Sequence, residues 1–165
     1  HSTVGKLKVE VMKERLLDIN PDLNIKAIKK LYNAETSDEI LTEDYDYVID
    51  AIDMVTSKIK LIETCKEKGL NIISSMGMGN KLDPTKIVVT DIYKTHTCPL
   101  AKVLRRELKD RRIKKLKVVY STEQPRELKE RIMNGRKVTP GSVSFVPSVG
   151  GLTIASVVVR ELLER

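Results

Sequence analysis

Residues 45–58, YDYVIDAIDMVTSK, run from an aromatic and β-branched stretch directly into a helix-compatible one, and two acids, Asp50 and Asp53, fall at the junction. The continuous apolar run of YDYVIDAI reads as a strand suited to a central position covered on both faces. From Val55 the residues Ile59, Leu61, Ile62 and Cys65 fall on the inward side of a helix that Gly69 is placed to stop. In an open α/β sheet, ligands bind outside the carboxyl ends of the strands, and both acids sit at such an end. Asp53 has two readings there. It can cap the helix, or it can hold Mg²⁺ against nucleotide phosphates, because that ion takes one or two carboxylates together with phosphate oxygens.

Outward from this junction, strand and helix patterns alternate. A helix is expected from Lys6 to Ile19, where Leu7, Val9, Val11, Met12, Leu16 and Ile19 recur at helical spacing before Asn20-Pro21. Strands are expected at 23–31, 71–76, 86–93, 117–121 and 142–146. Thr36 or Ser37 can cap a short turn over Asp38–Leu41. Pro99 opens a helix reaching about Arg112, a turn is expected around Leu128–Met133, and a last helix is expected over Val149–Leu163. The alternation predicts an α/β fold, a doubly wound, Rossmann-like, mainly parallel sheet, within a single domain spanning residues 1–165.

Composition narrows the partners. Aromatics make up only 4% of the 165 residues, so Val, Ile and Leu must fill the core. The net charge of +7 is concentrated between Lys102 and Lys117, which hold nine Lys or Arg against Glu107 and Asp110. Lys102, Arg105, Arg106, Lys109 and Arg112 form the candidate nucleic-acid surface; the alternative is a solvated helix face. Two cysteines, no leader-like segment and no uninterrupted apolar run near membrane-spanning length favour a cytoplasmic protein with no membrane partner.

Smaller motifs carry weaker chemistry. GMG at 77–79 does not complete a G-x-G-x-x-G loop and reads as backbone freedom at the ligand edge of the sheet. Cys98, in THTCP, precedes a helix start whose dipole lowers a thiol pKa, which makes it a candidate catalytic thiol. His96 and Cys98 are too few for zinc, since the other histidine is His1. Gly150 and Gly151 are explained by close approach of the last helix to the sheet or to a second subunit.

Four blocks in order, STVGKLKVEVMKERLLDINPDLNI, DYVIDAIDMVTSK, MGMGNKLDPTKIVVTDI with THTCPLAKVLRREL, and GSVSFVPSVGGLTIASVVVREL, resemble the ubiquitin-activating-enzyme-like ThiF/MoeB/HesA superfamily. Within it they look most like the tRNA threonylcarbamoyladenosine dehydratase branch. The resemblance implies an enzyme that uses ATP and Mg²⁺ to adenylate the carboxylate of a modified adenosine in tRNA and then closes it into a ring. It implies a phosphate contact for Lys8, the magnesium role for Asp53, although Met54 stands where many relatives have Asn, and a phosphate role for Lys58, where relatives often carry a basic residue. It also implies tRNA as partner of the basic segment.

Superfamily members open with a strand, a glycine-rich phosphate loop and a ribose-binding acid ahead of the block that begins here at His1. The chain is therefore expected to be a fragment lacking the first βαβ unit, with a sheet incomplete at its N-terminal side, little or no ATP affinity and catalysis, and a homo-oligomeric state, a dimer, that covers the open edge. Two alternatives accompany this reading. One is an adenylyltransferase for a sulfur-carrier or ubiquitin-like partner protein, with Cys98 as acyl acceptor. The other is a non-catalytic RNA-binding or oligomerisation module.

Overall fold

The computed structural model describes residues 2–42, 45–128, 133–134 and 137–164. Two compact units are described separately, His1–Thr42 and Glu43–Arg165.

In the first unit, helix α1 spans Lys8–Ile19 and ends at Asn20, because the residue before a proline is driven out of the helical region. None of its side chains is buried. The strand expected at 23–31 does not form. Residues 23–29 are irregular, since alternating apolar residues make a strand only where a neighbouring strand offers a ladder. A one-turn helix, α2 (Ser37–Ile40), follows. Thr36 is its N-cap residue but makes no side-chain capping bond; its hydroxyl instead donates to the Leu31 carbonyl at 2.6 Å.

The second unit holds a four-stranded sheet of β1 (Val48–Asp50), β2 (Ile72–Ser75), β3 (Ile87–Asp91) and β4 (Lys117–Ser121), in the order β1-β2-β4-β3. Strands β1, β2 and β4 are parallel, each pair joined through a helical connection, and β3 runs antiparallel to β4. Between β2 and β3 there is only a loop with a single 3-10 turn, Pro84–Lys86, so β3 starts at the end where β2 stops. Strand β1 lies at an edge of this sheet and not at its centre, and Ile49 is 51% exposed. Its most buried side chain is the acid Asp50, so the run that suggested a doubly covered strand reflects a buried ion pair as much as a buried apolar face.

Helix α3 (Val55–Glu67) packs on β1 and against α4 (Pro99–Asp110). Arg111, just past α4, ties the two by pairing with Glu63 on α3 at 2.9 Å. On the opposite face, α5 (Phe145–Leu163) lays Ile154, Val157 and Val158 against Ile73 of β2 and Val119 of β4. The strand expected at 142–146 is absent. Residues Phe145 and Val146 are the first turn of α5, which is four residues longer at its start than its sequence pattern suggested. At that length α5 is long and apolar enough to cross a membrane by composition, but its inner side covers the sheet. Tyr47 and Lys117 both bond Glu161 near its end. A short hairpin, β5 (Met133–Asn134) and β6 (Lys137–Val138), precedes it. The turn expected around Leu128–Met133 lies largely outside the described residues.

Two helix ends are closed the same way with different residues. After α3, Gly69 adopts φ 69°, Gly69 N–H donates to the Lys66 carbonyl at 3.3 Å and Leu70 N–H to the Cys65 carbonyl at 2.8 Å. After α4, Arg112 takes the equivalent position at φ 58°, with Arg112 N–H on the Lys109 carbonyl at 3.0 Å and Ile113 N–H on the Leu108 carbonyl at 2.9 Å. This double bond pattern requires a left-handed residue, which glycine adopts freely and arginine does not. Gly69→Ala is therefore expected to lower stability in urea denaturation by about 1 kcal/mol, and Arg112→Gly to raise it by about 0.5–1 kcal/mol. The adjacent pair in α5 also separates. A Cβ on Gly150 would meet Met78 Cε at 3.0 Å, whereas one on Gly151 meets nothing within 4 Å, so Gly151→Ala should stabilise by about 0.5–1 kcal/mol.

Candidate functional site

The carboxyl ends of β1, β2 and β4 gather the polar residues of the second unit. Asp50, the last residue of β1, is paired in register with Ser74 of β2, so both side chains leave the sheet on the face covered by α3. Lys58, in the first turns of α3, reaches back to them. Its ammonium donates to Asp50 Oδ2 at 2.7 Å and Ser74 Oγ donates to the same oxygen at 2.5 Å. The other oxygen, Oδ1, accepts from the Ile52 backbone N–H at 3.0 Å. Asp50 and Lys58 are both 0% exposed. Burial pushes the Lys58 pKa down, and the Asp50 and Asp53 carboxylates oppose that shift without cancelling it. Lys58 thus serves Asp50 in the interior and is not presented to a ligand phosphate in this arrangement.

Asp53 lies in the turn between β1 and α3 and is exposed. It is not a cap: the N-cap position of α3 belongs to Met54, which makes no side-chain capping bond. A carboxylate left open at the carboxyl end of a strand fits a magnesium ligand of the kind that shares the ion with phosphate oxygens. Among the described residues no three His, Cys, Asp or Glu side chains cluster as a metal cage of their own. The donor set therefore fits the one-carboxylate mode.

The glycine segment borders the same end of the sheet. Cys98, at the N-cap position of α4 but without a capping bond, has its Sγ 3.8 Å from where a Cβ on Gly77 would stand and is only 3% exposed. Thr97, a β-branched residue held at φ 60°, turns the chain inward at this point, at a cost of about 1–3 kcal/mol. A thiol that accepts an acyl group from a protein tail needs access that this packing denies. Lys81 is buried nearby and donates to the Ser121 carbonyl at 2.8 Å, at the tip of β4. Burial lowers its pKa. Glu123 carries no motif and Lys81 falls in a quoted block without a role assigned to it, and the residues beside them in sequence give no sign of either contact.

Glu123 holds the following residues, accepting from the backbone N–H of Asp83 at 2.8 Å and of Leu82 at 3.0 Å. The Asp83 bond is the main reason that the Glu123 pKa is lowered, with Leu82 adding to it.

Of the basic residues, Lys102, Arg106 and Lys109 share an exposed face of α4, and Arg112 is exposed just beyond its end. Arg105 is half-buried and donates to the Thr95 carbonyl at 2.8 Å, so its guanidinium is committed within the fold. Arg106 pairs with Glu107. In the first unit, Lys8 is exposed at the first residue of α1.

Removing Lys58 leaves Asp50 charged and buried without its counter-ion. Lys58→Met is expected to cost about 3–5 kcal/mol in urea denaturation, and adding Asp50→Asn to recover most of it. For Glu123 the lowered pKa fixes the sign of a pH effect. Its contribution is complete above the ordinary glutamate range, about pH 4, and is lost as pH falls through the lowered value. Glu123→Gln should therefore flatten the acid limb of the stability profile measured by circular dichroism.

The sequence pattern of the ThiF family matches residues 1–164. A tRNA threonylcarbamoyladenosine dehydratase of Bacillus subtilis is 42% identical over 174 aligned residues, covering 99% of this chain and 68% of the relative. One from Haemophilus influenzae is 43% identical over 107 residues, 65% of this chain and 41% of the relative. The crystal structure of the Escherichia coli tRNA N6-threonylcarbamoyladenosine dehydratase in complex with ATP superposes with a TM-score of 0.87 at 29% identity, covering 99% of this chain and 66% of that one. The chain thus spans about two thirds of the length of the Bacillus relative and of the solved structure. With the family pattern running from end to end, and with the sheet that carries the strand-tip acids reproduced in a solved relative, this chain belongs to the ThiF family.

Proposed function

We propose that this chain is part of an ATP-dependent tRNA-modifying dehydratase, which adenylates the carboxylate of threonylcarbamoyladenosine and cyclises it. The reading rests on Asp53, an acid left open at the carboxyl end of a sheet strand and not spent on capping the helix that follows it. Relatives named for this activity, and a solved relative that holds ATP, support it.

In this proposal the substrate carboxylate attacks the α-phosphorus of ATP and pyrophosphate leaves. A nucleophile within the same modified base then attacks the acyl carbon and AMP leaves, so that the carboxylate oxygen departs on the nucleotide and the net change in the base is loss of water. Asp53 would hold Mg²⁺, which when bound offsets phosphate charge. Lys8 is exposed at the first residue of α1, in the first unit. Lys102, Arg106, Lys109 and Arg112 present the cations that would contact tRNA phosphates, which fix register without reading sequence. A homodimer is part of the proposal, supported by the edge position of β1 and by the outward apolar residues Leu152, Val159 and Leu163 on α5.

The deciding experiment incubates the complete gene product with ATP, Mg²⁺ and tRNA bearing threonylcarbamoyladenosine, and reads the modified nucleoside by mass spectrometry. Loss of one water is expected, and Asp53→Ala should abolish it while the circular dichroism spectrum stays unchanged. Turnover that survives Asp53→Ala would remove this residue from the mechanism. Arg112→Gly separates binding from folding: tRNA affinity should fall, with a shallower salt dependence, in a variant expected to be more stable than the parent.

A further inference from the structure

The turn that carries Asp53 has no capping side chain of its own. Residues 51–54 are irregular, and the helix they enter begins at Val55 with Met54 as N-cap residue and no capping bond. An open turn of this kind samples many conformations unless something fixes it, and a carboxylate that must meet a metal-bound phosphate loses affinity as its position spreads. A buried side chain holds the start of the turn, Ile52 N–H donating to Asp50 Oδ1 at 3.0 Å, while at its far end Ser57 Oγ reaches Met54 Sδ at 3.5 Å.

That bond depends on the orientation of the Asp50 carboxylate, which a single acceptor contact does not set. Two donors on the opposite oxygen set it. Lys58 Nζ at 2.7 Å approaches from α3, and Ser74 Oγ at 2.5 Å approaches from β2. Asp50 is 0% exposed, so water does not compete for either oxygen. The carboxylate is therefore held from a helix and from a neighbouring strand, and its remaining oxygen points at the backbone two residues on. Lys58 also lies within the field of Asp53, since both carboxylates draw its pKa upward against burial.

We propose that Lys58 and Ser74 are positioning residues for Asp53: they clamp one oxygen of Asp50 so that the other fixes the Ile52 amide, and through it the turn from which Asp53 projects. The proposal rests on the metal-holding role given to Asp53 above. It assigns the buried lysine a task other than phosphate contact, and it places the control of the metal ligand in the interior of the fold. Ser74 gives the clamp a neutral arm that can be removed without stranding a charge.

The test uses this chain, isotope-labelled, in two measurements by nuclear magnetic resonance. Amide hydrogen exchange reads the turn, and line broadening by added Mn²⁺ reads the metal ligand. In Ser74→Ala the Ile52 amide should exchange about tenfold faster while Ile73 and Val119 keep their protection, which separates a loosened turn from a loosened fold. Mn²⁺ should then broaden the Asp53 and Met54 amides at severalfold higher concentration than in the parent. Ser74→Thr, which keeps the hydroxyl, should restore both values, and Lys58→Met should exceed Ser74→Ala in both if it folds. Asp53→Asn should abolish the broadening and leave Ile52 exchange unchanged, because control runs from the clamp to the acid.

Unchanged Ile52 exchange in Ser74→Ala would overturn the proposal. Absence of Mn²⁺ broadening at Asp53 in the parent chain would instead overturn the metal reading, and the exchange measurement would still decide whether the clamp fixes the turn.

Discussion

The buried carboxylate of Asp50 is the constraint around which the second unit is arranged. A charge removed from water is tolerated only with a counter-ion and with its remaining lone pairs satisfied. Lys58, Ser74 and the Ile52 amide meet that requirement from three directions. Meeting it fixes where α3 must sit relative to β1 and β2, because Lys58 has to reach the strand end. It also fixes how the chain leaves β1. A hydrophobic contact in the same place would supply burial without direction, whereas the ion pair accepts few geometries. Specificity of this kind is paid for in desolvation, visible in the lowered Lys58 pKa.

The arrangement divides labour between neighbouring acids. Asp50 and Asp53 are three residues apart and chemically identical, yet one is sealed and the other open. The sealed acid accepts a bond from the Ile52 amide in the turn, and the open one is exposed. Around them the carboxyl end of the sheet is held by further polar contacts. Lys81 rests on the Ser121 carbonyl and Glu123 gathers two backbone amides of the following loop. Lys81 thereby ties the loop before β3 to the end of β4, and Glu123 satisfies two backbone amides within that loop. Apolar cores lie on both faces of the sheet: α5 covers Ile73 and Val119 on one, and Ile62 of α3, Leu104 and Leu108 of α4 and Val118 of β4 are fully buried on the other.

Much of this was legible in the residues. Gly69 was marked as the end of α3 because a left-handed position favours the residue without a Cβ, and the helix stops there. Pro99 opens α4 as its fixed φ predicts. The alternation of apolar runs predicts the α/β class, and the acid pair falls where β1 gives way to α3. The end of α4 is expected at about Arg112, but arginine carries no preference for the left-handed position that closes the helix, and only its backbone angle reveals that role. The segments 23–31 and 142–146 were misread for a common reason. Alternation and β-branching describe a surface that could pair, and pairing depends on a neighbour that local sequence does not supply.

What the sequence by itself determined was the α/β class, the helices that begin near Val55 and Pro99, and the inventory of charges, with an acid pair at one strand tip and a run of cations on one helix. These follow from side-chain period and backbone preference, which act over a few residues. Only the tertiary structure decided which acid is buried, that Lys58 answers Asp50, that Cys98 is covered beneath Gly77, and that Arg105 is committed to Thr95 while Lys102 and Lys109 remain exposed. Desolvation and hydrogen-bond geometry make those choices, and both depend on residues that are distant along the chain and adjacent in the fold.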